Sequence, residues 1–252
     1  MPLTRPSYIS DDAKVYYDSD LNTTITTDAN GNLLPLSSPQ SISFVASRLS
    51  VMTSSQVNNV DVSIPDSCRA NDLILLWVWT DEDNLSTPNT PSGYSIVTNQ
   101  GTGENPRGHL FSKLLDTNDS AGTTMNVTFS GNDYVSSIVG GFRPGSYPSN
   151  ISNVDTVGLR GPSALSGSLD GTGGGTPLLY AIGLTGRAGT PNQLPILTWS
   201  DADQIIESAD GNLDLGYKIF NKARGAAIPG STSFSTNDGG RQNITGSIIK
   251  FE

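Results

Sequence analysis

Two stretches of the chain, residues 71–143 and 176–251, carry the same succession of local signals. The first reads NDLILLWVWT, STPNTPSGYSIV, GHLFSKLL, TTMNVTFSGND and VSSIVGGFR. The second reads TPLLYAIGLT, GTPNQLPILTW, LDLGYKIFNK, GSTSFSTNDG and NITGSIIKF. In both, a buried strand leads to a Thr-Pro turn, a second strand, a Lys-bearing alternating strand, a Ser/Thr strand ending in Asn-Asp and a closing strand. A repeat built wholly from strand and turn signals points to two similar halves of one β-sandwich. A sheet of about five strands leaves one apolar face wet, and stacking two such sheets buries both. The expected fold is all-β, a jelly-roll-like antiparallel sandwich of about ten strands.

Composition agrees with short strands joined by many turns. Only 15% of the 252 residues are charged, while Gly is 27 and Pro 15. The net charge of −10 argues against a nucleic-acid surface, which needs clustered Lys and Arg. The nearest approach to a basic cluster, Lys218, Lys222 and Arg224, reads as a solvated strand and turn. No apolar run reaches the roughly 18 residues of a membrane span, and MPLTRPSYISDD lacks the apolar stretch of a signal peptide. No membrane insertion is expected. Without a secretion signal, the sequons at Asn22, Asn84, Asn118, Asn126, Asn150 and Asn243 read as a by-product of Asn, Ser and Thr richness.

Residues 1–40 differ from the rest, with Pro2, Pro6, Pro35, Pro39 and the acidic Asp11-Asp12. Strands are expected at Lys14–Tyr17 and Thr23–Thr27, with Asn30-Gly31 as the tight turn of a hairpin over Thr23–Leu34. Asp28, Asn30 and Asn32 imitate the start of a calcium loop, but Pro39 stands where a bidentate Glu belongs. A segment this polar holds no core of its own. Tyr8, Ile9, Val15, Tyr16, Tyr17 and Leu21 are therefore read as the docking side chains of an assembly arm. The remainder, 41–252, is read as a single sandwich domain with halves at 41–143 and 176–252 and a connector at 144–175.

The order of the repeat also resembles a β-rich module of tailed-bacteriophage structural proteins. Asn71-Asp72-Leu73-Ile74-Leu75-Leu76-Trp77 is similar to its GDLLL strand, and Thr87-Pro88 with Pro91-Ser92-Gly93-Tyr94 is similar to its TPPSGW turn. Leu110-Phe111-Ser112-Lys113-Leu114 follows its YYKVA-type strand and Val139-Gly140-Gly141-Phe142-Arg143 its AFRG-type strand. The match covers about residues 60–252, with Asn71 in place of Gly and Tyr94 in place of Trp. The resemblance implies a virion component, assembled in the host cytoplasm with other capsid or tail subunits and with copies of itself. It transfers no catalytic residue.

Candidate chemistry is sparse. Asp81, Glu82 and Asp83 form the densest acidic cluster, an oxygen-rich loop of the kind that can bind Ca²⁺; it reads as a solvated loop at the sandwich end, and no metal and no cofactor is expected. Asp201-Ala202-Asp203 occupies a related place in the second half. Asp81, Glu82, Glu104, Asp201 and Glu207 offer no spacing that identifies a hydrolytic pair. Cys68 and the only histidine, His109, lie in different elements. Gly101-Thr102-Gly103 opens no helix, and Gly173-Gly174-Gly175 lacks the Lys of a phosphate loop. Trp77 and Trp79 read as core, whereas Trp199, flanked by Thr198 and Ser200, is expected at a surface where a sugar could stack. The sequence thus favours a non-enzymatic virion protein, most simply a capsid decoration or cement protein. The alternative is a tail- or fibre-associated adhesin for host surface glycan.

Overall fold

The computed structural model describes residues 41–50, 52–81, 87–99, 107–145, 148, 150–172, 177–187, 195–209, 211–221, 230–237 and 241–251, together with the backbone of three earlier strands. Those three are β1 (Ser7–Ser10), β2 (Ala13–Asp18) and β3 (Thr23–Asp28), which form an antiparallel sheet of their own in the order β1-β2-β3. β3 pairs back onto β2, with Ala13 opposite Asp28 and Tyr17 opposite Thr24, so β3 is the second arm of a hairpin that begins at β2. The expected Asn30-Gly31 turn and Leu21 lie outside the described residues.

The first half of the body comprises β4 (Ile42–Ser50), β5 (Val57–Ser63), β6 (Leu73–Thr80), β7 (Ser95–Asn99), β8 (Arg107–Leu114), β9 (Thr124–Asp133) and β10 (Val135–Pro144). The second comprises β11 (Ile151–Gly161), β12 (Ser166–Asp170), β13 (Leu178–Arg187), β14 (Leu197–Thr198), β15 (Gln204–Glu207), β16 (Leu213–Phe220), β17 (Ser231–Thr236) and β18 (Arg241–Phe251). Among the described residues every element is a strand, and every ladder is antiparallel. The fold is an all-β sandwich.

The halves repeat each other strand for strand. One large sheet runs β4-β10-β6-β8-β7 and the other β11-β18-β13-β16-β15. The small sheet β5-β9 has its counterpart in β12-β17-β14, and the lone bridge Pro88 to Phe129 occupies the place of the β14–β17 pairing. Register fixes the equivalence residue by residue. Lys113 lies opposite Ile74 and Lys218 opposite Tyr180, so Ile74 corresponds to Tyr180 and Leu73 to Leu179. The same frame makes Phe142 equivalent to Ile249 and Phe44 to Asn153. A β-bulge interrupts both edge ladders at the same point, between Gly141 and Phe142 against β4 and between Asn153 and Asp155 against β18. An irregularity shared at equivalent positions confirms the frame independently. β11 and β12 fall within the stretch read from sequence as a connector, and the structure assigns both to the second half.

Layer number is the main departure from expectation. Each half is itself a two-layer unit, and the two large sheets then stack, giving four layers. One core lies between the large sheets, with Leu73, Leu75, Trp77 and Trp79 from β6 meeting Leu179, Ala181, Leu215 and Ile249. A second lies under β5-β9, where Ile74, Leu76 and Val78 meet Val62 and Val127. The third lies under β12-β17-β14, where Tyr180, Ile182 and Leu184 meet Leu169 and Phe234. β6 is apolar at nearly every position because both of its faces are covered. β9 is covered on one face only and accordingly alternates.

Contacts across the seam exchange under the repeat. β7 and β8 face β11 and β18, while β16 faces β4 and β10. This is the pattern of an isologous dimer interface, here within one chain. Trp77 donates its indole N–H to Thr245 O at 2.8 Å, and Trp79 donates to Asn243 Oδ1 at 2.9 Å, so both buried rings are tied to the opposite half.

Candidate functional site

The two ends of the seam are equivalent by the repeat but not alike. At one end Phe44 stacks on Tyr217 with ring centroids 4.8 Å apart, and Phe142 meets both edge-on at 5.7 Å. The Tyr217 hydroxyl donates to Gln204 Oε1 at 2.9 Å, and Ile42 N donates to Asn221 Oδ1 at 2.6 Å. This end is closed.

At the other end the equivalent residues are small or short. Ser112 stands in the place of Tyr217, Asn153 in that of Phe44, Ile249 in that of Phe142 and Ser95 in that of Gln204. All four line an open cleft of about 410 Å³ between β7-β8 of the first half and β11-β18 of the second. Leu114 and Ile151, packed against the central core, contribute apolar lining. Ile96 on edge strand β7 also borders it and is 52% exposed, one of the exposed large apolar side chains of the body.

Lys113 separates this cleft from a second one of about 330 Å³, lined by Pro91, Tyr94, Asp119, Thr123 and Asn126 among others. The turn Pro91–Tyr94, closed by Tyr94 N to Pro91 O at 3.0 Å, passes Gly93 over the Lys113 side chain. Gly93 has φ +79°, and a Cβ there would lie 3.3 Å from Lys113 Cε, so conformation and space both favour glycine. Lys113 Nζ donates to Asp119 Oδ1 at 2.7 Å and lies 5.8 Å from the Tyr94 ring centroid. Burial alone would raise the Asp119 carboxyl; the hydrogen bonds from Lys113 and the Asp116 amide outweigh it and hold it below the ordinary carboxylate range. Burial first and the Asp119 charge second push the Tyr94 hydroxyl well above its ordinary range, and its buried oxygen has no hydrogen-bond partner among the described residues.

Trp199 is the clearest correction to the sequence reading. It is 4% exposed, sits edge-on to Phe234, and donates its indole N–H to Thr232 Oγ1 at 2.8 Å. Thr232 in turn donates to Asp201 Oδ2 at 3.0 Å. A ring held in this way cannot serve as an exposed sugar platform. Asp81 is also buried, at the end of β6, where its backbone N–H donates to Asp133 Oδ1 at 3.1 Å. Glu82, Asp83 and Glu104 lie outside the described residues. Of the arm residues, Tyr8 and Ile9 fall in β1 and Val15, Tyr16 and Tyr17 in β2; their side chains lie outside the description.

Several reactive groups have structural surroundings. Cys68 is buried, and burial with the neighbouring Asp72 charge pushes its thiol up to about 11, away from a nucleophilic thiolate. His109 is buried beside Arg107, and burial foremost lowers it to about 4, so it is neutral at pH 7. Arg143 donates Nε to Asp72 Oδ1 and Nη2 to Asp72 Oδ2, each at 2.8 Å, and Nη2 also reaches Ser67 O at 2.9 Å. That fork clamps the entry of β6 to the end of β10. Asn71, where the phage module has glycine, has φ +75°, a region that glycine and asparagine adopt most readily. Among the described residues no cluster of His, Cys, Asp and Glu has the makings of a metal site.

Ser95, Ser112, Asn153 and Ile249 carry no motif and do not stand out in the sequence. The signal that finds them is the mismatch with Gln204, Tyr217, Phe44 and Phe142 once the halves are superposed in register. Comparison of the chain with family models, with curated proteins and with solved structures gives no match.

Proposed function

We propose that this chain is a non-enzymatic structural component of a bacteriophage particle, a capsid decoration protein whose body is displayed and whose N-terminal segment attaches it. The observation that carries this reading is the separate sheet β1-β2-β3, hydrogen-bonded within itself while the body completes its own layers. Sixteen residues of strand cannot enclose a core, so such a sheet gains stability by packing on another surface. The body supports the same reading: three cores and a tied seam make a stiff block, and its acidity keeps it soluble and off nucleic acid. The resemblance of residues 60–252 to a virion module supplies the particle.

The test is deletion of Met1–Pro39. The truncated body should fold, since β4 begins after it, and should fail to enter particles; assembly at full occupancy would move attachment to the sandwich itself. Particles lacking the whole protein should form heads that break more readily, whereas stable heads on tailless or non-adsorbing particles would reject the decoration role. A second reading, a tail- or fibre-associated glycan adhesin, loses Trp199 as its platform and is favoured instead by the open end of the seam.

A further inference from the structure

The closed end of the seam shows what the open end is shaped to hold. There, a six-membered ring bearing a hydroxyl, Tyr217, stacks on Phe44 and meets Phe142 edge-on, with its hydroxyl on Gln204. At the open end that ring is missing, the walls are Asn153 and Ile249, and Ser95 replaces Gln204 as the polar partner. The space is sized for a ring that the described residues do not supply.

Lining chemistry selects among rings. Ser95, Ser112 and Asn153 face the seam by register with its core residues, and Asn150 and Ser152 also line the cleft. Among the described residues no carboxylate lines it, and its cation, Lys113, is paired with Asp119. Leu114, Ile151 and Ile249 supply an apolar wall. A phenol ring would use one hydroxyl among these groups. A saturated ring with several hydroxyls and apolar C–H faces uses both the hydroxyl and amide side chains and the aliphatic wall. We infer that this cleft is a binding site for one pyranose unit of a neutral glycan, held between the two halves. The assignment rests on the cleft alone and stands or falls separately from the decoration role.

The experiment uses the full chain and the methyl glycosides of glucose, galactose and N-acetylglucosamine, observed by saturation-transfer NMR and titrated to about 50 mM, because a single ring gives affinities of about millimolar order. At least one glycoside should bind. Ser112→Tyr rebuilds the ring of the closed end and should abolish binding without lowering the melting temperature. Ser112→Ala and Asn153→Ala, which leave the packing in place, should each weaken binding at least about threefold. Absence of binding by every glycoside would overturn the assignment, as would unchanged binding in the two alanine variants. Preferential binding of N-acetyl-tyrosinamide would also overturn it, by identifying a protein side chain as the occupant. Loss of particle incorporation on deleting Met1–Pro39 bears on none of these outcomes.

Discussion

Gly183 is a position where the seam has no room for a side chain. It lies on β13 beneath the two tryptophans of β6, and a methyl group there would come within 2.7 Å of Trp77 Cδ1 and 2.8 Å of Trp79 Cη2. Overpacking of a tight core costs about 1–3 kcal/mol when the neighbours can shift. Here they shift poorly, because each indole N–H is fixed to the opposite half, Trp77 on Thr245 O and Trp79 on Asn243 Oδ1. Swinging either ring away sacrifices a buried hydrogen bond worth about 1 kcal/mol. Against this, replacing glycine by alanine stiffens the unfolded chain and returns about 0.4–1 kcal/mol. Gly183→Ala should therefore destabilise by about 2 kcal/mol, which lowers the melting temperature of a chain this size by about 4–8 °C. Urea unfolding followed by tryptophan fluorescence measures it, with Gly131→Ala as the control, since a Cβ there meets nothing within 4 Å. Gly183→Ala as stable as Gly131→Ala would refute the packing of the two halves described above.

Asp214 gives a pH signature. Burial raises its carboxyl from 3.8 to about 6 despite the hydrogen bond from Leu197 N, so the native state holds the proton more tightly than the unfolded chain. Its contribution to stability is present below pH 3.8 and lost as pH rises through about 6. Asp214→Asn should then raise stability at pH 7 by about 2–3 kcal/mol, and a loss instead would refute the cause. His109 has the opposite sign: depressed from 6.5 to about 4, it leaves stability intact above pH 6.5 and lowers it as pH falls through 4. The Asn variant should keep the acid-side loss, to which the depressed Asp119 carboxyl also contributes, and lose the one that appears as pH rises through about 6, in unfolding measured across pH. Asp72→Ala removes both acceptors of the Arg143 fork and the acceptor of Arg69 N, and should cost about 2–3 kcal/mol by denaturant titration.

The strands were legible where burial imposes a period. β9, covered on one face, alternates, and the lysines of β8 and β16 align as the structure aligns them. β6 offers no alternation, since both faces are covered, and the repeat read from sequence matched Leu73 with Leu178 when register matches it with Leu179. One residue of slip turns every side chain to the other face, so the seam could not be read from that alignment. The two outer layers escaped for a related reason: β5 and β9 read as strands, but which large sheet they cover is a tertiary choice. Trp199 was misplaced although its signal was present. Leu197 and Trp199 are buried while Thr198 and Ser200 are exposed, a period of two in which polar neighbours mark the ring as inward-facing.

Symmetry turns an ordinary surface feature into an argument. A groove on a unique fold has no reference for how full it should be; here the other end of the same seam is that reference. It shows that the fold accepts Phe44, Phe142 and Tyr217 together, tied off by Asn221 on Ile42, whose N–H and C=O both engage that side chain. Each large side chain buried in this way contributes about 1.5–3 kcal/mol. Ser112 and Asn153 forgo much of that at the open end, where of the three equivalents only Ile249 buries a large side chain. A chain shaped by stability alone would close both ends alike, since the closing residues are already written once in its own sequence. The forgone burial is therefore the cost of keeping the space open, and the free energy is recovered only when something enters. For that reason Ser112→Tyr distinguishes the alternatives more sharply than any truncation: it should stabilise the empty protein and end its capacity to bind, two effects of opposite value from a single substituted side chain.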